Sequence, residues 1–208
     1  MSLARPNADP SPLTEAKLAE LLRERGAPLL EALERHLPGA RDHADGTASY
    51  AFVAAVAIGF DRTQCDVARE VARLHEIGLV YVPIEILNRP PSARDEADEA
   101  AVDAHFEAGY RLARGAGLPE GPCGWLLRAR ERFDGAGPEG LGGGRIPIES
   151  RLIRAACVCQ TALSTPALPG EPSAPDRARA ELSRQAAAEL DPSIAAALLG
   201  VLERAAQN

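Results

Sequence analysis

The sequence predicts an all-α protein, one compact helical domain with a small helical subdomain in front. Three observations lead there. The hydrophobic share of the 208 residues is 46%, mostly alanine and leucine, and aromatics make up only 4%. Alanine favours helix and offers little to a pleated surface. Apolar residues recur at the helical period of about 3.6 along several segments, and proline or glycine punctuates the chain between them.

Residues 1–12 hold three prolines and little apolar content, and read as a flexible lead-in. Ser11-Pro12-Leu13-Thr14 opens a helix to about Arg25, Gly26-Ala27-Pro28 interrupts, and a second short helix ends before Leu37-Pro38-Gly39. A long helix over 42–58 carries Tyr50, Ala54, Ala57 and Ile58 on one stripe, and the next, over 62–76, carries Val67, Val71 and Leu74. Residues 80–83 read as a short extended piece, and Pro90-Pro91 forces a non-helical connection. The helix over 93–114 sets Ala101, His105, Ala108 and Leu112 on one face and stops at Gly115-Ala116-Gly117. A helix over 123–133 leads into Asp134-Gly135-Ala136-Gly137-Pro138, a loop by composition. Then come a helix over 149–163, a proline-rich linker over 166–175, and two closing helices around Asp191-Pro192, where Asp191 is a good N-cap. Residues 1–40 form the lead-in and N-terminal helices, and 41–208 the main domain.

Composition narrows the function. A formal net charge of -7 argues against a nucleic-acid polymer as partner, since such binding needs clustered Lys and Arg. The N-terminus lacks the apolar core of a signal peptide, and the longest apolar run, residues 50–60, is far short of a membrane span. A cytoplasmic protein is expected. Cys65, Cys123, Cys157 and Cys159 contain no C-x-x-C pair, so buried reduced thiols are the expectation. The glycine-rich stretch from Gly140 to Arg145 lacks the ending of a phosphate-cradling P-loop and reads as a loop lip.

His43 begins the long helix, His75 and Glu76 close the next, and His105 lies on an apolar stripe. Imidazoles and a carboxylate converging from three helices suit zinc, manganese or iron in a bundle core. Taken singly, His43 is a surface residue near a helix start, His105 a hydrogen-bonded core histidine, and Glu76 an exposed helix-end glutamate.

Their order carries a resemblance. The run HEIGLVYVPIEILNRP (75–90), His105 followed by Gly109-Tyr110-Arg111-Leu112, the loop from Glu131 to Leu141, Ile146-Pro147, Arg151-Leu152-Ile153 and Leu190-Asp191-Pro192 all match one pattern. The chain resembles the HD-GYP domains, metal-dependent phosphohydrolases known for cleaving cyclic di-GMP, over roughly residues 43–204. The resemblance implies an HD-domain-like helical bundle with a short N-terminal helical extension and C-terminal helices.

The same matching shows losses. The family's HD becomes His75-Glu76, its following lysine becomes Leu79, and its paired histidines become Ala129 and Arg130. The last metal-binding aspartate falls at Val158, and the loop tyrosine is missing. By this resemblance a first metal keeps His43, His75 and Glu76, while a second keeps only Glu76 and His105. The expectation is therefore a degenerate HD-GYP domain with no resident metal and no cyclic di-GMP hydrolysis, acting as a signalling or protein-interaction module. The alternative is a phosphohydrolase with one iron, manganese or zinc ion on His43, His75, Glu76 and His105. Arg130 and Arg132 are the candidates for holding a phosphate. The expected partners are another protein, a cyclic dinucleotide as the alternative ligand, and a second copy in a homodimer. The short C-x-C at Cys157-Val158-Cys159 lets only one thiol face a site on a helix, and it is given little weight as a metal ligand.

Overall fold

A computed structural model describes residues 13–166 and 170–206. The expected lead-in over 1–12 and part of the 166–175 linker lie outside the described residues. The described chain is helical and holds no strand, only an isolated bridge between Ala186 and Leu190. Among the described residues, no helix is long and apolar enough to cross a membrane.

Helix α1 (Glu15–His36) is capped by Thr14, whose hydroxyl accepts from the Lys17 N–H at 3.3 Å. It runs unbroken through Pro28, contrary to the expected interruption. Ala19, Leu22, Gly26, Leu30 and Leu33 form one buried face at helical spacing. Pro28 and Glu24 lie on the exposed side, so the carbonyl that loses its donor to proline faces water. Gly26 serves packing rather than a turn. A Cβ there would lie 2.6 Å from Leu74 Cδ2.

Helix α2 (Ala40–Ala57) buries Ala40, Ala44, Thr47, Ala48, Ala51, Ala54 and Ala55. That small-residue face packs against α3 (Arg62–Arg73) and α8 (Ile148–Ser164). The stripe expected to include Ala57 is rotated, and Ala57 is exposed. A capping box between Asp61 and Gln64 starts α3. The helix ends at Arg73 rather than at residue 76, and a tighter 3-10 turn over Ile77–Tyr81 replaces the expected extended piece. Gly78 presses on the backbone of the helix opposite, where a Cβ would lie 1.9 Å from the His105 carbonyl oxygen and 2.6 Å from the Gly109 nitrogen.

After the short α4 (Ile84–Leu87), Pro90 leads a 3-10 turn over Pro91–Ala93. The single helix expected over 93–114 is two, α5 (Glu96–Asp103) and α6 (His105–Gly115), broken at Ala104. His105 Nδ1 lies 2.6 Å from the Val102 carbonyl, and a side chain entering the backbone ladder is a recognised cause of a kink. Helix α7 (Glu120–Arg128) stops short of residue 133. Beyond it, the buried Glu131 carboxylate accepts the N–H groups of Glu139 at 2.8 Å and Leu141 at 3.1 Å, and so organises the glycine-rich loop.

Helices α9 (Ala174–Gln185) and α10 (Pro192–Ala205) close the chain, the latter capped by Asp191. A small buried cluster holds Leu33, Ala40, Leu79 and Val82. Of the two larger ones, the first includes Leu22, Leu74, Ile77, Leu126 and Ile153, and the second Leu152, Leu182, Leu190, Ile194 and Leu198. Helices α2 and α8 contribute to both. Each large side chain so buried contributes roughly 1.5–3 kcal/mol.

Candidate metal centre

The small-residue face of α2 brings His43 close to α8, and the turn after α3 delivers His75 and Glu76 to the same point. Ligand atoms of His43, His75, Glu76 and Cys157 all lie within 4.8 Å of one another. His43 Nε2 is 3.7 Å from Glu76 Oε1 and 3.8 Å from Cys157 Sγ. His75 Nε2 is also 3.7 Å from Glu76 Oε1. Segments more than a hundred residues apart in sequence meet here.

The tautomer of His75 follows from its neighbour. Its Nδ1 lies 2.9 Å from the Ala72 carbonyl, which can only accept, so Nδ1 carries the proton and Nε2 the lone pair. That Nε2 is buried with no hydrogen-bond partner. Burial pushes the imidazole pKa down to about 4, despite the opposing charge of Glu76, so His75 is neutral at neutral pH. A neutral histidine with one nitrogen on a backbone carbonyl and the other bare is the arrangement of a metal ligand. The Cys157 thiol is pushed up to about 12 by burial and by Glu76. A bound divalent ion reverses such a shift by deprotonating a coordinating thiol. The residues present therefore fit one divalent metal.

Three of the four expected donors are brought together, and Cys157 joins them. His105 is not in the group. It is buried, its ring is 3.9 Å from that of Phe106, and it lines an apolar cavity of about 770 Å³ with Leu29, Gly78, Tyr81, Ala108 and Leu112. Its pKa is lowered mainly by burial, with the Arg130 charge acting in the same direction. Val158, matched by the resemblance to the family's aspartate, is not in the donor group, and its neighbour Cys157 is. Cys157 points at His43, whereas Val158 packs against the second core cluster. The other thiol of the pair, Cys159, is fully buried in that cluster.

Leu79 sits in an apolar cluster with Leu33, Ala40 and Val82, and Ala129 is buried in the first core. Arg130 and Arg132 share a cavity of about 370 Å³ with Asp103, Phe106, Gly137 and Arg154. Arg132 is engaged by Asp134 and Glu189, and Arg154 by Glu189. The Nε of Arg130 is buried without a hydrogen-bond partner.

The described residues form an all-helical bundle that gathers histidine, glutamate and cysteine side chains at one point, and comparison specifies its family. The HD domain family matches residues 28–194, so this chain belongs to the HD domain family. It is 29% identical over 151 residues to the cyclic di-GMP phosphodiesterase response regulator RpfG of Xanthomonas campestris pv. campestris, covering 71% of this chain and 40% of that protein. It is 33% identical over 87 residues to the cyclic di-GMP phosphodiesterase PdeB of Borreliella burgdorferi, covering 41% of this chain and 23% of that protein. The chain thus spans less than half the length of either relative.

Two solved structures share the fold. One is Bd1817, an HDG"Y"P protein from Bdellovibrio bacteriovorus, with a TM-score of 0.66 at 16% identity over 91% of this chain and 61% of that one. The other is the HD domain of the L. monocytogenes phosphodiesterase PgpH in complex with cyclic-di-AMP, with a TM-score of 0.62 at 17% identity over 87% and 98%.

Proposed function

We propose that this chain is a one-metal HD-type signalling domain that does not hydrolyse a cyclic dinucleotide and acts through a protein partner. The observation that carries the reading is how the donors divide. His43, His75, Glu76 and Cys157 form one group, while His105 stands outside it, close enough to feel the charges of Glu76 and Arg130. Two-metal phosphodiester hydrolysis needs ions about 3.5–4 Å apart that share a nucleophilic water. A second locus here would have only Glu76 and His105, because Ala129 and Arg130 stand where the resemblance implies two histidines. The guanidinium of Arg130 repels a second cation. His43, His75 and Glu76 would hold the single ion, which would supply Lewis-acid polarisation when bound.

A second reading is hydrolysis on that one ion, and the cavity beside Arg130 favours it. Arg132 and Arg154 are already paired with carboxylates, which leaves Arg130 as the cation for a phosphate. The relatives are named as cyclic di-GMP phosphodiesterases and one solved neighbour holds cyclic-di-AMP, so cyclic dinucleotides are the ligand class to test. The purified chain, loaded with manganese, iron or zinc, is incubated with cyclic di-GMP and cyclic di-AMP, and the products are separated by chromatography. No linear dinucleotide is expected. Metal-dependent turnover that disappears in His75→Ala overturns the first reading in favour of the second.

A further inference from the structure

Helix α8 has a fixed rotation about its axis, because Ile153 and Ala156 pack in the first core cluster and Leu152, Ala155 and Cys159 in the second. That rotation leaves Cys157 facing α2, with Sγ 3.8 Å from His43 Nε2 and 4.0 Å from Thr161 Oγ1. Two histidines and a glutamate already converge on the same point. The His75 side chain is only 4% exposed, and its bare Nε2 lies 3.7 Å from Glu76 Oε1. Zinc bonds of about 2.0–2.1 Å to nitrogen or oxygen and 2.3 Å to sulfur place tetrahedral nitrogen or oxygen ligands about 3.3–3.4 Å apart, and about 3.5–3.6 Å from a sulfur. The closest pairs here, 3.7 Å for nitrogen to oxygen and 3.8 Å for nitrogen to sulfur, are a few tenths of an ångström wider, a gap that small side-chain rotations close on an ion.

We infer that Cys157 is a thiolate ligand that closes the metal locus, making it a four-ligand zinc site instead of an open hydrolytic one. This deepens the one-metal reading and rests on it. Chemistry separates the two kinds of site. Three protein ligands leave a position where water is activated, whereas four protein ligands fill the shell, as in structural zinc sites. A thiolate also shifts preference from oxygen-seeking ions such as manganese towards zinc. One side chain thereby accounts for both the metal chosen and the loss of the water position.

Cobalt(II) tests this, because a thiolate bound to it gives a near-ultraviolet charge-transfer band that nitrogen and oxygen ligands do not. The full chain is stripped with chelator, dialysed and titrated with cobalt(II) alone, then with zinc in competition. The wild-type chain is expected to bind one equivalent with the band present. Cys157→Ser is expected to lose the band, and its zinc affinity to fall by more than the roughly 10–100-fold typical of losing a supporting partner. Cys159→Ser is expected to keep both. Cys157→Asp is expected to lose the band and gain affinity for manganese. One equivalent of cobalt bound by the wild-type chain without the band overturns the thiolate assignment and leaves the one-metal reading standing. No bound cobalt overturns both. The wild-type spectrum decides even where the serine variant folds poorly.

Discussion

His105 and His75 look alike in sequence, each a histidine on a helical apolar face, yet the structure gives them different work. Both set Nδ1 against the carbonyl three residues earlier, but His75 Nε2 lies 3.7 Å from Glu76 Oε1, whereas His105 lines an apolar cavity outside the donor group. In His105→Leu the apolar lining is kept and Val102, only partly buried, can offer its carbonyl to water. The expected stability change is therefore under about 1.5 kcal/mol, the net value of an ordinary hydrogen bond, with metal content by elemental analysis unchanged. His75→Ala is expected to lose the metal. Equal metal loss in both variants would place His105 in the metal shell. The sequence made His43, His75 and Glu76 legible because a resemblance orders them along the chain. Cys157 was passed over because one residue on a helix is a rotation of about 100°. The small apolar residues before the C-V-C triplet and the polar Gln160 and Thr161 after it do not fix that rotation, and the packed core sets it.

At the scale of elements, the site depends on how tightly the turn after α3 meets α6. Gly78→Ala would drive a methyl group into the His105 carbonyl and the Gly109 nitrogen, which are backbone atoms and cannot rotate away. The expected cost is at least the roughly 1–3 kcal/mol of an overpacked core, with loss of the metal as His75 and Glu76 move. A thermal midpoint within a degree of the wild-type value would contradict the packing described. The corner between α1 and α2 makes a different prediction. Glu34 accepts the N–H groups of Gly39 at 3.0 Å and Arg41 at 2.8 Å, and these bonds hold its carboxyl below the usual carboxylate range. Since the folded-state pKa is depressed, its stabilisation is fully present above the unfolded value of about 4.3 and is lost as pH falls through the folded one. Melting curves of wild type and Glu34→Gln are expected to differ at neutral pH and converge in acid. A constant difference would show that the carboxylate charge contributes nothing. Helix existence and order were legible from period and punctuation, but several ends were not. Gly26-Ala27-Pro28 has the composition of a break, and burial of Leu22, Gly26, Leu30 and Leu33 carries the helix through it. The helix over 93–114 has a continuous period, and a side-chain contact to its own backbone divides it.

For the whole molecule, the metal locus ties together α2, the turn after α3, and α8, which also carry residues of both core clusters. An ion held there binds only the folded chain, because the unfolded chain keeps residues 43, 75, 76 and 157 apart. Sequence alone favoured a domain with no resident metal. The four-donor group supports the one-metal reading proposed above. At free zinc of 100 times the dissociation constant, linkage adds about 2.7 kcal/mol to stability. For a chain of this length each kcal/mol moves the midpoint by about 2–4 °C, so removing the metal is expected to lower it by roughly 5–11 °C. Differential scanning fluorimetry with chelator, followed by zinc in excess, reads the fall and the recovery. His75→Ala should melt at the same temperature in chelator and in zinc. If the wild-type midpoint also stays within about a degree across those conditions, the four side chains are a polar cluster satisfied by water and the one-metal reading fails.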